Sequence, residues 1–356
     1  MAGTGGASGA AGGGQGGASG AAGGGQGGVG GTSAGMGGAS GAAGSGAGQG
    51  GSGGAPNDAG TMMDGSVEPD AAIELPTTWT TGMAMSTIRT EIAVAELDGL
   101  VYVAGGYGGM TAFEVYDPEN DSWDSLVELP VGLEHPSLGA LAGLIYLTGG
   151  GGSATYAYDP GTNEWSERGA LMYPRHAAAM VALDGALYLV GGTGPSDRVL
   201  QRYDVAGDAW EPLAELSVTR DHVAAVVLDG KIYALAGRLM SSVGAPYTSV
   251  EIYDPGSNAW SPGVDMQDTR SGFAAAVVGG QIYVAGGEVL ELPFSVRDTV
   301  ERFDPVAGQW HYEAMLPIQL HGTGAVGLGN RMLIFGGASS PAAIEPRTGI
   351  VYIYGP

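Results

Sequence analysis

The sequence predicts an all-β fold, a six-bladed β-propeller of four-stranded antiparallel blades, because two sets of residues recur with one period. The first set is the six tryptophans, which follow one another at steps of 42 to 50 residues. A period of this length is typical of propeller blades. The tryptophans are Trp79, Trp123, Trp165, Trp210, Trp260 and Trp310.

The second set consists of glycine pairs, one in most repeats. They are predicted to end a strand where the backbone needs a positive φ or approaches a neighbour closely. Ala236 and Gly237 take this place in the fourth repeat. The pairs are Gly105 and Gly106, Gly149 and Gly150, Gly191 and Gly192, Gly286 and Gly287, and Gly336 and Gly337.

Each repeat is predicted to form four strands, named a to d in chain order, as the third repeat illustrates. Small residues at 177–181 suit strand a, the innermost strand, where the blades converge. Asp184 and Gly185 then form a two-residue hairpin turn. Strand b follows at 187–189, strand c carries Tyr203, and strand d carries Trp210. The large rings fill the wider outer gaps between blades.

The recurring order of Arg, Asp-Gly, Tyr, Gly-Gly, Tyr-Asp-Pro and Trp resembles the Kelch repeat, in six copies after the first part of the chain. The resemblance implies a six-bladed propeller around a central channel. Trp79 has no glycine pair before it, and Gly337 has no tryptophan after it. The strand around Trp79 is therefore predicted to complete the last blade, whose strand c lies at 351–354, and so to close the ring.

The chain divides into a linker at residues 1–74 and a propeller at 75–356. The linker is rich in Gly, Ala and Ser and ends in an acidic stretch, so it cannot bury an apolar face and is predicted to be disordered. It looks like the stalks of bacterial surface or secreted proteins, which favours an extracellular or cell-surface location. A cytoplasmic location is the alternative.

Composition excludes several classes of function. A net charge of −24 argues against nucleic-acid binding, which requires a basic surface. The chain has no run of 18 apolar residues, so no membrane insertion is expected. Cysteine is absent, which excludes thiolate ligands and a cysteine nucleophile. We expect a monomer without a cofactor.

Antiparallel strands place the b–c and d–a loops on one face of the propeller. Only the b–c loops vary in length, with 9 to 18 residues from the glycine pair to the aromatic residue of strand c, and such variation is typical of binding sites. Eight of the twelve arginines map to this face, and guanidinium groups bind carboxylates through paired hydrogen bonds. The candidate ligand-binding residues are Arg89, Arg175, Arg220, His222, Arg238, Arg270, Glu288 and Arg297.

Two questions stay open from the residues alone. Arg89, Arg175, Arg220 and Arg270 occupy one repeated position, so they serve either the architecture or a ligand. Four histidines lie near the start of strand a, at neighbouring positions that face alternate sides of an extended chain. Because metal sites need convergent ligands, a polar role at the mouth or rim is predicted for the histidines rather than zinc binding, and no metal site is predicted. Nearby carboxylates would act as acids or bases only if they converge on the mouth, and solvated carboxylates are the default expectation; these residues are Glu91, Glu134, Asp221 and Glu288.

The leading hypothesis is a non-catalytic module that binds a protein or glycan, with acidic ligands favoured, through the arginine-lined face, tethered by the linker. No catalytic residue is assigned under it. The alternative rests on the resemblance, because some Kelch-like propellers are sugar epimerases or mutarotases that act at the channel mouth. An enzyme of that kind would use Arg220 for a sugar carboxylate, and His222 and Glu288 for proton transfer.

Overall fold

A computed structural model describes residues 78–239 and 246–355, which form six four-stranded antiparallel sheets arranged as the blades of a propeller. The predicted linker at 1–74 lies outside the described residues. Within the described ranges no helix is long and apolar enough to cross a membrane. The predicted all-β propeller is confirmed.

The strands are numbered along the chain. Strand β1 (Trp79–Gly82) precedes the first complete blade and belongs to the sixth. Blade 1 contains β2 (Ala93–Leu97), β3 (Leu100–Ala104), β4 (Phe113–Asp117) and β5 (Ser122–Ser125). Blade 2 contains β6 (Pro136–Leu141), β7 (Leu144–Gly149), β8 (Thr155–Asp159) and β9 (Glu164–Arg168). Blade 3 contains β10 (Ala179–Leu183), β11 (Ala186–Val190), β12 (Val199–Asp204) and β13 (Ala209–Glu215).

The remaining blades follow the same plan. Blade 4 contains β14 (Ala224–Leu228), β15 (Lys231–Leu235), β16 (Val250–Asp254) and β17 (Ala259–Pro262). Blade 5 contains β18 (Ala274–Val278), β19 (Gln281–Ala285), β22 (Val300–Asp304) and β23 (Gln309–Tyr312), and a small hairpin of β20 (Glu288–Val289) and β21 (Ser295–Val296) projects from it. Blade 6 contains β24 (Gly324–Leu328), β25 (Arg331–Phe335), β26 (Val351–Tyr354) and β1.

The ring closes as the offset between the tryptophans and the glycine pairs predicts. Strand β1 pairs antiparallel with β26, from Trp79 opposite Tyr354 to Gly82 opposite Val351. The Trp79 ring packs on Tyr352 and Tyr354, with centroid distances of 6.3 and 4.7 Å. The outer edge of β26 is thereby covered, and the first and last described strands lie in one sheet.

The tryptophans join neighbouring blades. In five of the six repeats the indole Nε1 donates a hydrogen bond to the preceding blade, for example from Trp79 to Ala314 O at 2.9 Å and from Trp123 to Met83 O at 2.8 Å. The glycine pairs join blades as well: Gly106 N donates to Leu133 O of the next blade at 2.9 Å. A Cβ on Gly105 would lie 2.6 Å from the same oxygen, so only glycine permits this approach.

The strands alternate in direction, so the b–c and d–a loops share one face, here called the loop face. Its b–c loops include residues 105–112, 150–154, 191–198, 236–239 with 246–249, 286–299 and 336–350. Its d–a loops are residues 83–92, 126–135, 169–178, 216–223, 263–273 and 313–323. The inner strands, rich in alanine, line the central channel, and the mouth of that channel opens at the centre of the loop face.

Candidate functional site

The four repeated arginines lie inside the blades with no exposed surface. Arg270 donates to Gly286 O at 2.7 Å and Thr299 O at 3.0 Å, and its other guanidinium nitrogen lies 2.7 Å from the buried Glu301 carboxylate. Arg220 repeats this arrangement with Glu251, and Arg89 repeats it with Glu114. Each guanidinium therefore anchors the b–c loop to strand c of its own blade.

Comparison of the repeats supports a structural role for these arginines. The partner position lies two residues before the strand c aromatic, and it holds Glu114, Gln201, Glu251 and Glu301 in the blades with arginine. The two blades with leucine at the arginine position have Tyr156 and Tyr352 there instead. Arg175, in the blade with Gln201, forms no salt bridge among the described residues and donates to carbonyl groups such as Pro195 O, and burial lowers its pKa to about 10. The residue at the arginine position and the residue at its partner position thus change together from blade to blade. This co-variation favours the architectural role of the arginines over ligand binding.

Two arginines of the b–c loops, Arg238 and Arg297, also form ion pairs or hydrogen bonds within the protein. Arg238 pairs with Glu288 and lies 3.3 Å from Asp221, and Arg297 donates to Thr269 O at 2.7 Å and lies 3.3 Å from Asp268. The expectation of an open arginine-lined face thus differs from the structure. Burial hides Arg89, Arg175, Arg220 and Arg270, and neighbouring acids or carbonyl groups engage the loop arginines.

The channel mouth is lined instead by the residues two positions after each arginine or its leucine replacement. All six have positive φ, between 49° and 63°. Most are joined to their neighbours by backbone hydrogen bonds, such as Gly272 N to His222 O at 2.9 Å. This inner ring consists of Glu91, His135, Ala177, His222, Gly272 and Gly322.

The conformation of the inner ring favours glycine, and blades 5 and 6 have it. A left-handed backbone costs a residue with a side chain about 1–2 kcal/mol, and such strain is concentrated at functional sites. The backbone conformation at Glu91, His135 and His222 therefore destabilises the fold relative to glycine at the same positions. Gly322 leaves room for one of them, since a Cβ there would lie 2.7 Å from Glu91 Oε1.

An outer ring surrounds the first, one residue earlier in each repeat. Five of its six members, all except Glu134, form single β-bridges to the residue after the glycine pair, as Asp221 does with Arg238 and Ser271 with Glu288. These bridges turn the start of each b–c loop towards the mouth. The outer ring consists of Thr90, Glu134, His176, Asp221, Ser271 and His321.

Two histidines and one glutamate meet at the centre of the mouth. The Nε2 atoms of His135 and His222 lie 2.9 Å apart, and Glu91 Oε2 lies 3.2 Å from the first and 4.0 Å from the second. In both imidazoles Nδ1 points to a carboxylate of the outer ring: His135 Nδ1 contacts Glu134, and His222 Nδ1 contacts Asp221 Oδ1. The side chains of Glu91, His135 and His222 are only 5% to 10% exposed.

Further polar groups extend this cluster. His176 Nε2 lies 2.8 Å from Glu134 Oε1, so Glu134 bridges two histidines. Arg238 donates to His222 Nε2 at 3.1 Å and also pairs with the buried Glu288. On the other side, His321 Nδ1 lies 3.5 Å from Glu91 Oε1.

These contacts shift the ionisation of the cluster. Burial alone would raise the pKa of Glu91, but hydrogen bonds from His135 and His321 outweigh it and hold the pKa well below its usual range. Burial acts to lower the pKa of His135, yet Glu91 and Glu134 raise it. For His222 burial dominates, and the pKa is lowered. The cluster therefore holds an ionised glutamate between imidazoles that differ in proton affinity.

The mouth encloses a small cavity of about 90 Å³, lined by inner-ring residues together with Ile92, Pro136 and Phe273. Below it the channel widens to spaces of about 160 and 400 Å³ between the alanine-rich inner strands. Sites for drug-sized molecules usually measure 300–1,000 Å³. The mouth itself thus has room for an ion, a few water molecules or one ligand group.

The structure brings together only part of the predicted site. His222, Arg238 and Glu288 lie in the mouth cluster, whereas Arg297 lies beside Thr269 and Asp268 in blade 5. Sequence reasoning gave His135 only a polar rim role and treated Glu91 and Glu134 only as possible acids or bases at the mouth. It expected neighbouring histidines to face alternate sides, which holds for an extended chain. The left-handed turn at His135 and His222 breaks that alternation, so the inner-ring and outer-ring histidines converge.

The motif model of the Kelch family matches residues 88–130, 174–217, 219–267 and 269–315, which together make up just over half of the chain. The chain belongs to the Kelch family. No curated protein matches its sequence. A solved structure entitled "Structure of YjhT" superposes on this Kelch protein with a TM-score of 0.68, covering 76% of this chain and 96% of that one. Its sequence is 15% identical, so the likeness concerns the fold.

Proposed function

We propose that this Kelch propeller is a non-catalytic module that binds a protein partner through its loop face. The distribution of exposed apolar side chains carries the proposal. Thirteen of the fifteen large hydrophobic residues that are exposed within the described ranges belong to b–c or d–a loops. Clustered apolar exposure on one face marks interaction sites in soluble proteins.

Three of these residues belong to the b–c loop of blade 5 and to the d–a loop that follows it. Leu292 is 78% exposed and Phe294 38% exposed on the hairpin of β20 and β21, and Met315 is 61% exposed in the following d–a loop. Aliphatic, methionine and aromatic side chains at the centre of an interface with polar surroundings are typical of protein–protein contacts. The balance of side chains favours a protein over a glycan, whose hydroxyl groups require many hydrogen-bonding partners.

A two-site substitution tests this proposal. We expect Leu292→Ser combined with Phe294→Ser to weaken binding of the natural partner at least about 10-fold, because aromatic and aliphatic anchors dominate interface energies. The measurement is quantitative affinity capture from the source cells with the full chain, followed by titration of the captured protein against both forms.

Val306 supplies the matched control, since it is 96% exposed on a c–d turn of the opposite face. Val306→Ser should bind the partner as the wild type does. Equal binding by the loop-face variant, or equal loss in the Val306 variant, would contradict the proposal. Capture of glycans instead of proteins by the full chain would support glycan binding.

An enzymatic role as a sugar epimerase is the second candidate, and the convergence of His222 and Glu288 at the mouth favours it. Two observations weaken it: Arg220, the proposed carboxylate ligand, has no exposed surface, and the mouth cavity of about 90 Å³ is small for a sugar. We expect millimolar acidic sugars to leave the melting temperature unchanged. A stabilisation that Glu288→Gln abolishes and Glu345→Gln, at an exposed loop glutamate, preserves would favour the enzyme.

We further propose that the propeller acts outside the cell or at its surface, with residues 1–74 as the tether. Only the composition of those residues supports this location. Protease treatment of intact source cells tests it, because a surface-held propeller is released or degraded while an internal one is spared.

A further inference from the structure

We propose that the channel mouth binds one divalent transition-metal ion, of which Zn²⁺ is the best fit, through Nε2 of His135, Nε2 of His222 and Oε2 of Glu91. This site goes beyond partner binding by the surrounding loops. Its three ligand atoms come from blades 1, 2 and 4, so only the closed ring assembles them.

The distances between the three atoms suit a metal ion. The atoms are separated by 2.9, 3.2 and 4.0 Å. The circle through three such points has a radius of about 2.0 Å, which matches Zn–N and Zn–O bond lengths of about 2.0–2.2 Å. An ion at that point would reach all three atoms, and a tetrahedral arrangement with an open fourth position requires side-chain rotation that brings Glu91 Oε2 closer to His222 Nε2.

The hydrogen bonds behind the ligands also suit a metal ion. A carboxylate only accepts hydrogen bonds, so each imidazole donates from Nδ1, His135 to Glu134 and His222 to Asp221. A neutral imidazole protonated at Nδ1 has a lone pair on Nε2. Histidines that bind metals show this same arrangement, in which a carboxylate fixes the tautomer and the ring orientation.

This arrangement requires a positive charge at the centre. With both imidazoles protonated only at Nδ1, two Nε2 lone pairs and a carboxylate oxygen would face one another within 4.0 Å, and the proton that His135 donates to Glu91 is what a metal ion would replace. An extra proton or a metal ion resolves the repulsion between them. Among the described residues, the mouth cluster contains four carboxylates, from Glu91, Glu134, Asp221 and Glu288, and one guanidinium, that of Arg238. A divalent cation therefore also balances the local charge.

Arg238 is the one group that competes with the ion. Its guanidinium donates to His222 Nε2 at 3.1 Å, and metal binding must replace that hydrogen bond. Arg238 keeps its contacts with Glu288 and Asp221, so the displacement leaves the guanidinium paired. His321 Nδ1 lies beside Glu91 Oε1, which leaves Oε2 directed towards the two histidines.

The remaining inner-ring positions leave one side of the ion open. Ala177, Gly272 and Gly322 have no long side chains, and the cavity of about 90 Å³ lies among them. Two histidines, one carboxylate and an open position are a donor set that suits Zn²⁺ and related ions rather than Mg²⁺ or Ca²⁺, which prefer oxygen ligands. Water or a ligand group in the cavity would complete the coordination.

Metal titration of the chelator-treated full chain tests the proposal. We expect about one Zn²⁺ per chain by equilibrium dialysis with micromolar or tighter affinity, falling at low pH because protons compete for the imidazoles. Co²⁺ should produce visible absorption bands at the same stoichiometry, and Mg²⁺ should not compete. His135→Ala, His222→Ala and Glu91→Gln should each weaken Zn²⁺ binding at least about 10-fold.

The fifth histidine, the half-buried His311 on strand β23, provides the control for binding by an imidazole outside the mouth. His311→Ala should bind Zn²⁺ as the wild type does, and the melting temperature of every variant without metal reports whether it folds. Glu91→Gln keeps the side-chain size in case a histidine variant fails to fold. Absence of stoichiometric binding by the wild type at tens of micromolar Zn²⁺, or unchanged binding by folded mouth variants, would overturn the proposal.

Discussion

Arg270→Ala is expected to lower the free energy of unfolding by about 3–5 kcal/mol, because it leaves the fully buried Glu301 without its ionic partner. The change also removes the hydrogen bonds that the guanidinium donates to Gly286 O and Thr299 O. Glu301 keeps hydrogen bonds from the backbone nitrogens of Gln267 and Asp268, which limits the loss. Urea unfolding followed by tryptophan fluorescence measures the effect.

Arg198→Ala is the matched control, since Arg198 pairs with Glu215 while both side chains are about half exposed. Exposed ion pairs contribute roughly 0–1 kcal/mol, so this variant should unfold at nearly the wild-type urea concentration. Similar losses in the two variants would contradict the structural role that we assign to the repeated arginines.

Deletion of residues 76–85 should open the ring and lower the melting temperature by roughly 10 °C or more, because several kcal/mol are lost and each one corresponds to about 2–4 °C in a domain of this size. The deletion removes strand β1, the Trp79 ring and the buried Met85. It also exposes the backbone edge of β26, which invites association between molecules. Differential scanning calorimetry and gel filtration measure the two effects.

Single substitutions in β1 distinguish the contribution of the Trp79 indole to stability from that of the strand backbone. Trp79→Ala removes the packing on Tyr354 and the bond to Ala314 O, and we expect a partial loss of stability. Thr80→Ala changes an exposed side chain of the same strand and should shift stability by less than about 0.5 kcal/mol. A deletion variant that melts with the wild type would refute closure by β1.

The periodic residues predicted the fold well because they act locally and in a similar way in most blades. Tryptophan Nε1 atoms reach the preceding blade, and the glycines permit backbone contacts that any Cβ would block. The same regularity left the roles of Arg220 and Arg270 open between architecture and ligand binding. Their repetition reflected a shared buried role, and the co-occurring glutamates Glu251 and Glu301 were the available signal.

The sequence by itself determined the number of blades, the order of strands and the way the ring closes, because those features follow from spacing along the chain. Only the tertiary structure decided which polar residues meet. Glu91, His135 and His222 are more than 40 residues apart from one another, and ring closure and left-handed turns bring their side chains within 4.0 Å. Spacing along a chain does not encode convergence across a ring, so the mouth cluster became visible only once the blades were assembled.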